Sequence, residues 1–213
     1  MTIAENLAAV EQRIAAACGR AGRKRSEVTL VAVSKTFPAD RVSEAIAAGV
    51  THIGENRVQE ARDKRPLVRG SARWHLIGHL QSNKAKDAVR VFDVIETVDS
   101  VDLAQKIARA SEAARDVLLQ VNLGEEAQKS GVSTNDVEAI ARQIRGIGGV
   151  NLIGLMAIPP LGDARQHFRK LRALRDQIGL EQLSMGMSED FEIAIEEGST
   201  MVRIGRAIFG PRG

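Results

Sequence analysis

The stretch VTLVAVSK, residues 28–35, combines a short apolar run with a lysine at its end. Its β-branched side chains favour a strand, and the nearly continuous apolar character is typical of a strand that is buried on both faces. Parallel strands covered by helices have this composition. The stretch therefore predicts an α/β protein in which Lys35 lies at the C-terminal end of the first strand.

The same kind of run recurs along the chain, and amphipathic segments separate the runs. In those segments apolar residues are spaced i, i+3, i+4, as in Val42, Ala45 and Ile46, which indicates helices that pack on a sheet. Eight βα units predict a single (β/α)8 TIM barrel over residues 1–213, and an open, doubly wound sheet is the alternative. The segment 56–69 is the least regular of the predicted helices. The predicted strands are residues 28–33, 51–54, 74–77, 94–98, 117–121, 152–156, 182–185 and 201–204.

An extra helix is predicted before the first strand. Thr2 and Glu5 have the spacing of a capping box, and apolar residues follow on one helical face. Three glycines between a helix and the next strand, Gly49, Gly179 and Gly198, are expected to adopt a positive φ.

Composition excludes several classes of protein. The chain has 213 residues, 44% of them hydrophobic and 27% charged, and it has no apolar run near the roughly 18 residues that span a bilayer. The N-terminus lacks the pattern of a signal peptide, and Cys18 is the only cysteine, so we expect a cytoplasmic protein without an internal disulfide. The basic segment GRAGRKR, residues 19–25, is either a solvated loop or a phosphate-binding patch. With 3% aromatic residues and a net charge of +3, nucleic-acid binding is not expected.

Polar residues collect where the predicted strands end. In a TIM barrel the functional groups come from the C-terminal ends of the strands, so these residues would form a ring on one rim. The ring consists of Ser34, Lys35, Glu55, Asn56, Gly78, His79, Asp99, Ser100, Asn122, Met156, Ser188, Arg203 and Gly205.

Lys35 is the residue of this ring with the most distinctive chemistry. At the mouth of an apolar barrel a lysine loses its proton more readily, and the neutral amine is a nucleophile that forms imines with carbonyl compounds. A pyridoxal 5'-phosphate (PLP) site and a cofactor-free Schiff-base aldolase both use such a lysine. A solvated lysine at the start of a loop is the simpler interpretation.

The segment SMGMSEDFEIAIEEGSTMVRIGRAIFG, residues 184–210, suggests a phosphate site. Glycine-containing turns follow the seventh and eighth predicted strands, where barrels commonly bind phosphate. Ser188 is able to start a helix and donate its hydroxyl, and the turn at Gly205 and Arg206 offers further N–H donors. Ser188 as a helix cap alone is the alternative.

Other catalytic motifs are missing. The sequence contains no P-loop, no G-x-G-x-x-G motif and no G-x-S-x-G motif. His75 and His79 are about 13 Å apart if both lie on a strand, too far to share a metal. His52 and His167 fall in unrelated segments, so no metal site is predicted.

Six segments of the chain together resemble the pyridoxal phosphate homeostasis proteins, and the similarity covers essentially the whole chain. They are LVAVSKTFP (30–38), HIGENRVQE (52–60), WHLIGHLQSNK (74–84), GLMAIPP (154–160), LSMGMSEDFEIAI (183–195) and VRIGRAIFG (202–210). The resemblance implies a monomeric barrel of the alanine racemase type (PLP fold type III) that lacks the racemase C-terminal β-domain.

The resemblance also implies roles for individual residues. Lys35 corresponds to the lysine that forms a Schiff base with PLP, and Arg203 to the arginine that faces the pyridine nitrogen. The phosphate-binding positions correspond to Ser188, Gly205 and Arg206, and the pocket lining to Asn56, His79 and Met156.

The implied site lacks the second base of a racemase. The chain contains no tyrosine, and the position four residues after Lys35, where the racemase has one, is Ala39. We therefore expect a non-catalytic protein that stores, delivers or buffers PLP, with PLP-dependent enzymes as acceptors. A weak PLP enzyme is the alternative. The loop GEEAQKSG, residues 124–131, which contains Lys129, is either a gate over the site or a plain surface loop.

Overall fold

The computed structural model describes residues 2–124, 130–160 and 162–211. Its first element is helix α1 (Ile3–Arg20), which begins with the predicted capping box. The Glu5 amide donates to the Thr2 hydroxyl at 3.2 Å, and the Thr2 amide donates to the Glu5 carboxylate at 2.8 Å. Two amides that the helix leaves unpaired are thereby satisfied. The predicted apolar face of α1 is buried: Ile3, Leu7, Val10, Ile14 and Cys18.

Strands and helices alternate through the rest of the described chain. The strands are β1 (Thr29–Val33), β2 (His52–Glu55), β3 (Arg73–Leu76), β4 (Val94–Val98), β5 (Arg115–Asn122), β6 (Val132–Ser133), β7 (Val150–Met156), β8 (Gln182–Ser184) and β9 (Met201–Ile204). The helices after α1 are α2 (Ala39–Ala47), α3 (Val58–Lys64), α4 (Ala85–Val91), α5 (Val101–Ala110), α6 (Val137–Arg145), α7 (Ala164–Ile178), α8 (Phe191–Glu196) and α9 (Arg206–Phe209).

Eight of these strands form a closed parallel barrel. The hydrogen-bonded order β4-β3-β2-β1-β9-β8-β7-β5 closes on itself because β4 also pairs with β5. A large apolar core fills the space between barrel and helices, and a smaller cluster of Val94, Leu118 and Met156 is separate from it. The predicted TIM barrel is confirmed, and the open-sheet alternative is wrong.

Strand β6 is the one described strand that the sequence does not predict. Its two residues pair with the end of β5, with Val132 opposite Val121, outside the ring of eight. A strand of two residues is too short to show an alternating pattern, which is why the sequence carries no signal for it.

The three glycines expected at positive φ have it. Gly49, Gly179 and Gly198 have φ values of 111°, 63° and 96°. Each lets the chain leave a helix and turn into the next strand without a clash at Cβ. No helix in the described parts of the chain is both long and apolar enough to cross a lipid bilayer.

Candidate functional site

Lys35 lies in a concavity at the C-terminal ends of β1 and β9. These strands are neighbours, with Ala32 opposite Ile204, so the chain after each strand emerges at the same place on the rim. Lys35 is half-buried there, and it meets the turn that precedes α9. The lining residues are Val33, Lys35, Phe37, Gly205, Arg206 and Gly210. The structure thus brings together Lys35 and two of the three predicted phosphate-binding positions.

The backbone on both sides of Lys35 is held by helix α3. Lys64 donates to the Ser34 carbonyl oxygen at 2.9 Å, and the Thr36 amide donates to Glu60 Oε1 at 2.6 Å. Lys64 and Glu60 also form an ion pair at 2.9 Å. Burial raises the pKa of Glu60, but the hydrogen bonds from Lys64 and Thr36 bring it below its ordinary value. We call Ser34, Thr36, Glu60 and Lys64 the α3 clamp.

Glu55 completes the anchorage of Lys64. It is fully buried and accepts hydrogen bonds from the Ser34 hydroxyl and from Lys64 Nζ, both at 2.6 Å. Burial raises the pKa of Glu55, although these two donors partly oppose the change. Glu55 belongs to the predicted polar ring, but its side chain engages α3. Lys64 and Glu60 were not predicted. Glu60 is the last residue of the segment HIGENRVQE (52–60), and Lys64 lies four residues beyond it.

Arg203 is almost completely buried. Its guanidinium donates to Ser184 Oγ at 2.6 Å and to the Ala157 carbonyl oxygen at 2.9 Å. Burial lowers the pKa of Arg203, whereas the negative charges of Glu96 and Asp190 raise it. An arginine inside a barrel needs such partners, because an isolated buried charge is very unfavourable.

Ser188 does not start a helix. It lies in the turn after β8, and α8 begins at Phe191 with Asp190 at its N-cap position. Asp190 instead folds the turn, because its carboxylate accepts a hydrogen bond from the Met187 amide at 2.6 Å. The interpretation of Ser188 as a helix cap is therefore wrong. By contrast, Gly205 occupies the N-cap position of α9, so the turn at Gly205 and Arg206 does begin a short helix.

The predicted lining residues differ in exposure. Met156 is fully buried against Val94 and Leu118, and Asn56 is half-buried. The His79 side chain is 53% exposed, with Nδ1 3.5 Å from Asp99 Oδ2. His79 Nδ1 is also 3.2 Å from the hydroxyl of Ser130, at the end of the predicted gating loop. Lys129 lies outside the described residues.

Arg206 reaches into solvent. Its side chain is 74% exposed and lies 3.6 Å from the Glu189 carboxylate, which joins the turns after β8 and β9. An exposed pair of this kind adds little to stability.

The basic segment 19–25 ties α1 to the barrel. Arg20 pairs with Glu196 at 2.8 Å, and Arg25 pairs with Glu11 at 2.7 Å. Arg23 donates to the carbonyl oxygens of Ile195 and Ser199 at 2.9 and 2.7 Å. These contacts give three of the four basic side chains a structural role.

His52 and His75, which lie on two different predicted strands, are in contact. The two rings approach to 2.9 Å between His52 Nδ1 and His75 Nε2, because β2 and β3 are neighbours. In the described residues no group of three or more His, Cys, Asp or Glu side chains could hold a metal ion.

Comparisons with known proteins agree with this geometry. Residues 6–213 match the family model described as alanine racemase, N-terminal domain. The pyridoxal phosphate homeostasis protein of Pseudomonas aeruginosa is 46% identical, with 99% of this chain and 96% of that protein covered. This chain belongs to the pyridoxal phosphate homeostasis protein family.

Solved structures of relatives have the same fold. PipY of Synechococcus elongatus, solved with PLP bound, has a TM-score of 0.84 and 39% identity, and the match covers 98% of this chain and all of that one (100%). Alanine racemase from Corynebacterium glutamicum has a TM-score of 0.74 at 19% identity, and the match covers 97% of this chain but 59% of the racemase. The similarity to the racemase concerns the fold alone.

Proposed function

We propose that this protein binds PLP through Lys35 and serves in PLP homeostasis as a store, carrier or buffer of the cofactor. The observation that carries the proposal is the shared concavity of Lys35, Gly205 and Arg206. It offers an amine and backbone N–H donors within one site, and both are needed to hold an aldehyde that carries a phosphate. The PLP-bound structure of PipY, a relative at 39% identity, supports it.

The residues present fit the cofactor. A side chain at Gly205 would place its Cβ 3.1 Å from the Val33 carbonyl oxygen, so the absence of a side chain keeps the turn close to β1. In this proposal Ser188 and the amides of Gly205 and Arg206 hold the phosphate. Asn56, His79 and Met156 line the pocket, and Lys35 forms the covalent Schiff-base link.

Arg203 limits the chemistry of the site. PLP supplies an aldehyde that condenses with amines and a pyridine ring that withdraws electrons. A guanidinium keeps its proton at any working pH, so Arg203 would hold a neighbouring pyridine nitrogen unprotonated and weaken the ring as an electron acceptor. Two of its five N–H groups donate to Ser184 and Ala157, which leaves others to face the ring.

The acid–base groups around Lys35 also favour a carrier. The chain has no tyrosine to act as a second base opposite Lys35. A histidine is able to act as a base, but the His79 side chain is exposed at the rim beside Asp99. We therefore propose that Lys35 holds the cofactor rather than driving a reaction with it. A monomer in the cytoplasm, handing PLP to PLP-dependent enzymes, fits this role.

The covalent link is tested by loading the purified protein with PLP, reducing it with borohydride and mapping the labelled peptide by mass spectrometry. We expect the label on Lys35, its loss in Lys35→Ala, and unchanged labelling in Lys84→Ala, a variant at an exposed lysine. A protein that stays colourless and unlabelled would contradict PLP binding. A label on Lys84 or Lys129 would overturn the site.

The carrier role is tested by mixing the loaded protein with an apo form of a PLP-dependent enzyme and following the recovery of enzyme activity. We expect recovery from loaded wild type and none from borohydride-reduced protein, in which the link is permanent. Amino-acid racemisation or elimination that is abolished in Lys35→Ala would instead favour the weak-enzyme alternative.

A further inference from the structure

A hydrogen-bonded row of five side chains crosses the inside of the barrel. His52 Nδ1 lies 2.9 Å from His75 Nε2, and His75 Nδ1 lies 2.7 Å from Glu96 Oε1. The Ser184 hydroxyl donates to Glu96 Oε2 at 2.5 Å and accepts from Arg203 at 2.6 Å. We call these five residues the lumen chain.

The path of the lumen chain follows from the strand order. Glu96 is on β4 and Ser184 is on β8, and these strands are not neighbours in the barrel. Two side chains from such strands make contact only across the interior. Both residues are fully buried, so water does not screen the interaction.

The donors and acceptors of the lumen chain are compatible with one assignment of protons. If Glu96 is a carboxylate, it accepts from the Ser184 hydroxyl and from a neutral His75 protonated at Nδ1. His75 Nε2 then accepts from His52 Nδ1, and Ser184 Oγ accepts from Arg203. With this assignment each contact in the lumen chain pairs one donor with one acceptor, so no two donors and no two acceptors face each other.

Within the lumen chain, the negative charge of Glu96 compensates the positive charge of Arg203. Burial alone would raise the pKa of Glu96, but the hydrogen bond from His75, together with Arg203 and Ser184, lowers it below its usual value. Glu96 Oε2 lies 3.9 Å from the Arg203 guanidinium. Asp190, in the turn after β8, is the other negative charge that acts on Arg203.

We propose that Glu96 is a positioning residue of the PLP site, which holds the Arg203 guanidinium in place through Ser184 and balances its charge. The inference rests on the proposed function, since it concerns the arginine assigned to the pyridine nitrogen. Lys35 and Arg203 would both carry a positive charge when the Lys35–cofactor link is protonated. Glu96 supplies the negative charge that lets both coexist in one site.

If Glu96 only fills the barrel, its replacement should leave the pH dependence of the visible absorbance unchanged. If Glu96 positions Arg203 and balances its charge, that pH dependence should shift. Removing the charge of Glu96 leaves Arg203 uncompensated, which disfavours a proton on the Lys35–cofactor link. In Glu96→Gln we expect the pH midpoint of the visible absorbance change of the loaded protein to fall by about one unit, the effect of a unit charge over roughly 10 Å at an effective dielectric constant near 20. The measurement is a spectrophotometric pH titration of the loaded protein.

Glu197→Gln is the matched control. Glu197 is also buried and bound by arginines, Arg165 at 2.6 Å and Arg169 at 3.1 Å, but those partners belong to α7 outside the barrel. The loaded Glu197→Gln protein should have the same pH midpoint of the visible absorbance change as the loaded wild type. A loaded Glu96→Gln protein that titrates like wild type would overturn the inference and leave the proposed function intact, whereas a wild type that binds no PLP would contradict the proposed function itself.

Ser184 provides a second test, which decides the matter even if Glu96→Gln does not fold. Ser184→Ala keeps both charges but removes the hydroxyl between them, so we expect about tenfold weaker PLP retention, as for the loss of one hydrogen bond to a charged group. Ser184→Thr, which keeps the hydroxyl, should retain PLP better than Ser184→Ala. Equal retention in Ser184→Ala and wild type, measured by equilibrium dialysis, would contradict positioning through Ser184.

Discussion

Thr36, the residue after Lys35, has a φ of 70°, in the left-handed region that β-branched residues rarely adopt. It is the one residue other than glycine in the described chain with a positive φ. Such a conformation costs on the order of 1–2 kcal/mol, and it persists because the hydrogen bond from its amide to Glu60 holds the turn. The strain therefore lies directly beside Lys35, the residue of the proposed PLP link.

Thr36→Asn should relieve this strain. Asparagine tolerates the left-handed region better than threonine does, and it adds no backbone freedom to the unfolded chain, as glycine would. We expect the free energy of unfolding of the unloaded protein to rise by about 1 kcal/mol, measured by urea denaturation. Thr51→Asn, at an exposed threonine without a positive φ, is the control and should change little. A destabilised Thr36→Asn protein would show that the threonine side chain itself is needed.

At the scale of single elements, helix α3 depends on a charged contact. Lys64 is 7% exposed and lies 2.6 Å from the fully buried Glu55 carboxylate. The other oxygen of Glu55, Oε2, has no hydrogen-bond partner within the described residues. The carboxylate therefore relies on Lys64 and Ser34 to remain charged inside the protein.

Lys64→Met should destabilise the protein by roughly 3–5 kcal/mol, because it leaves a buried carboxylate without its partner. Glu55→Gln combined with Lys64→Met should recover part of the loss, since no charge is then left behind. Urea unfolding at pH 7 measures both, with the exposed Lys86→Met as the matched control. A Lys64→Met protein as stable as the control would show that the α3 clamp adds nothing to docking.

The sequence predicts strands and helices well where the spacing of apolar residues defines them. It predicts them poorly where buried charged residues hold an element in place. The eight barrel strands and the glycine turns at Gly49, Gly179 and Gly198 were predicted because each is a local pattern. Helix α3 was the least regular because Lys64 occupies one of its buried positions, and hydrophobic periodicity counts lysine as polar. The role of Lys64 as the partner of a buried charge can be recognised only in the folded structure, where it contacts Glu55.

At the scale of the whole molecule, closure of the barrel creates a site that no local pattern describes. Ser184 and Glu96 are 88 residues apart in the chain, and they meet because the ring of strands is closed. The rim was predictable, since strand ends gather at one face of any such barrel. The lumen chain was not, because a histidine or glutamate within an apolar strand does not indicate which distant strand it will face.

The lumen chain also gives the folded protein a dependence on pH. Burial, with smaller effects from the neighbouring His75 and Arg73, lowers the pKa of His52 from 6.5 to about 4. Between these two pH values the unfolded chain binds a proton that the folded protein does not. The free energy of unfolding therefore decreases as the pH falls from 6.5 towards 4, by at most about 1.4 kcal/mol per pH unit for one proton.

His52→Asn should flatten this acid-side slope, because the amide retains a donor for His75 but does not titrate. Urea unfolding of the unloaded protein at several pH values between 7 and 4.5 gives the slope directly. His167→Asn, a histidine replacement on α7, is the control and should keep the slope of wild type. If His52→Asn loses stability with acid as steeply as wild type does, the proton that destabilises the fold binds at a group other than His52.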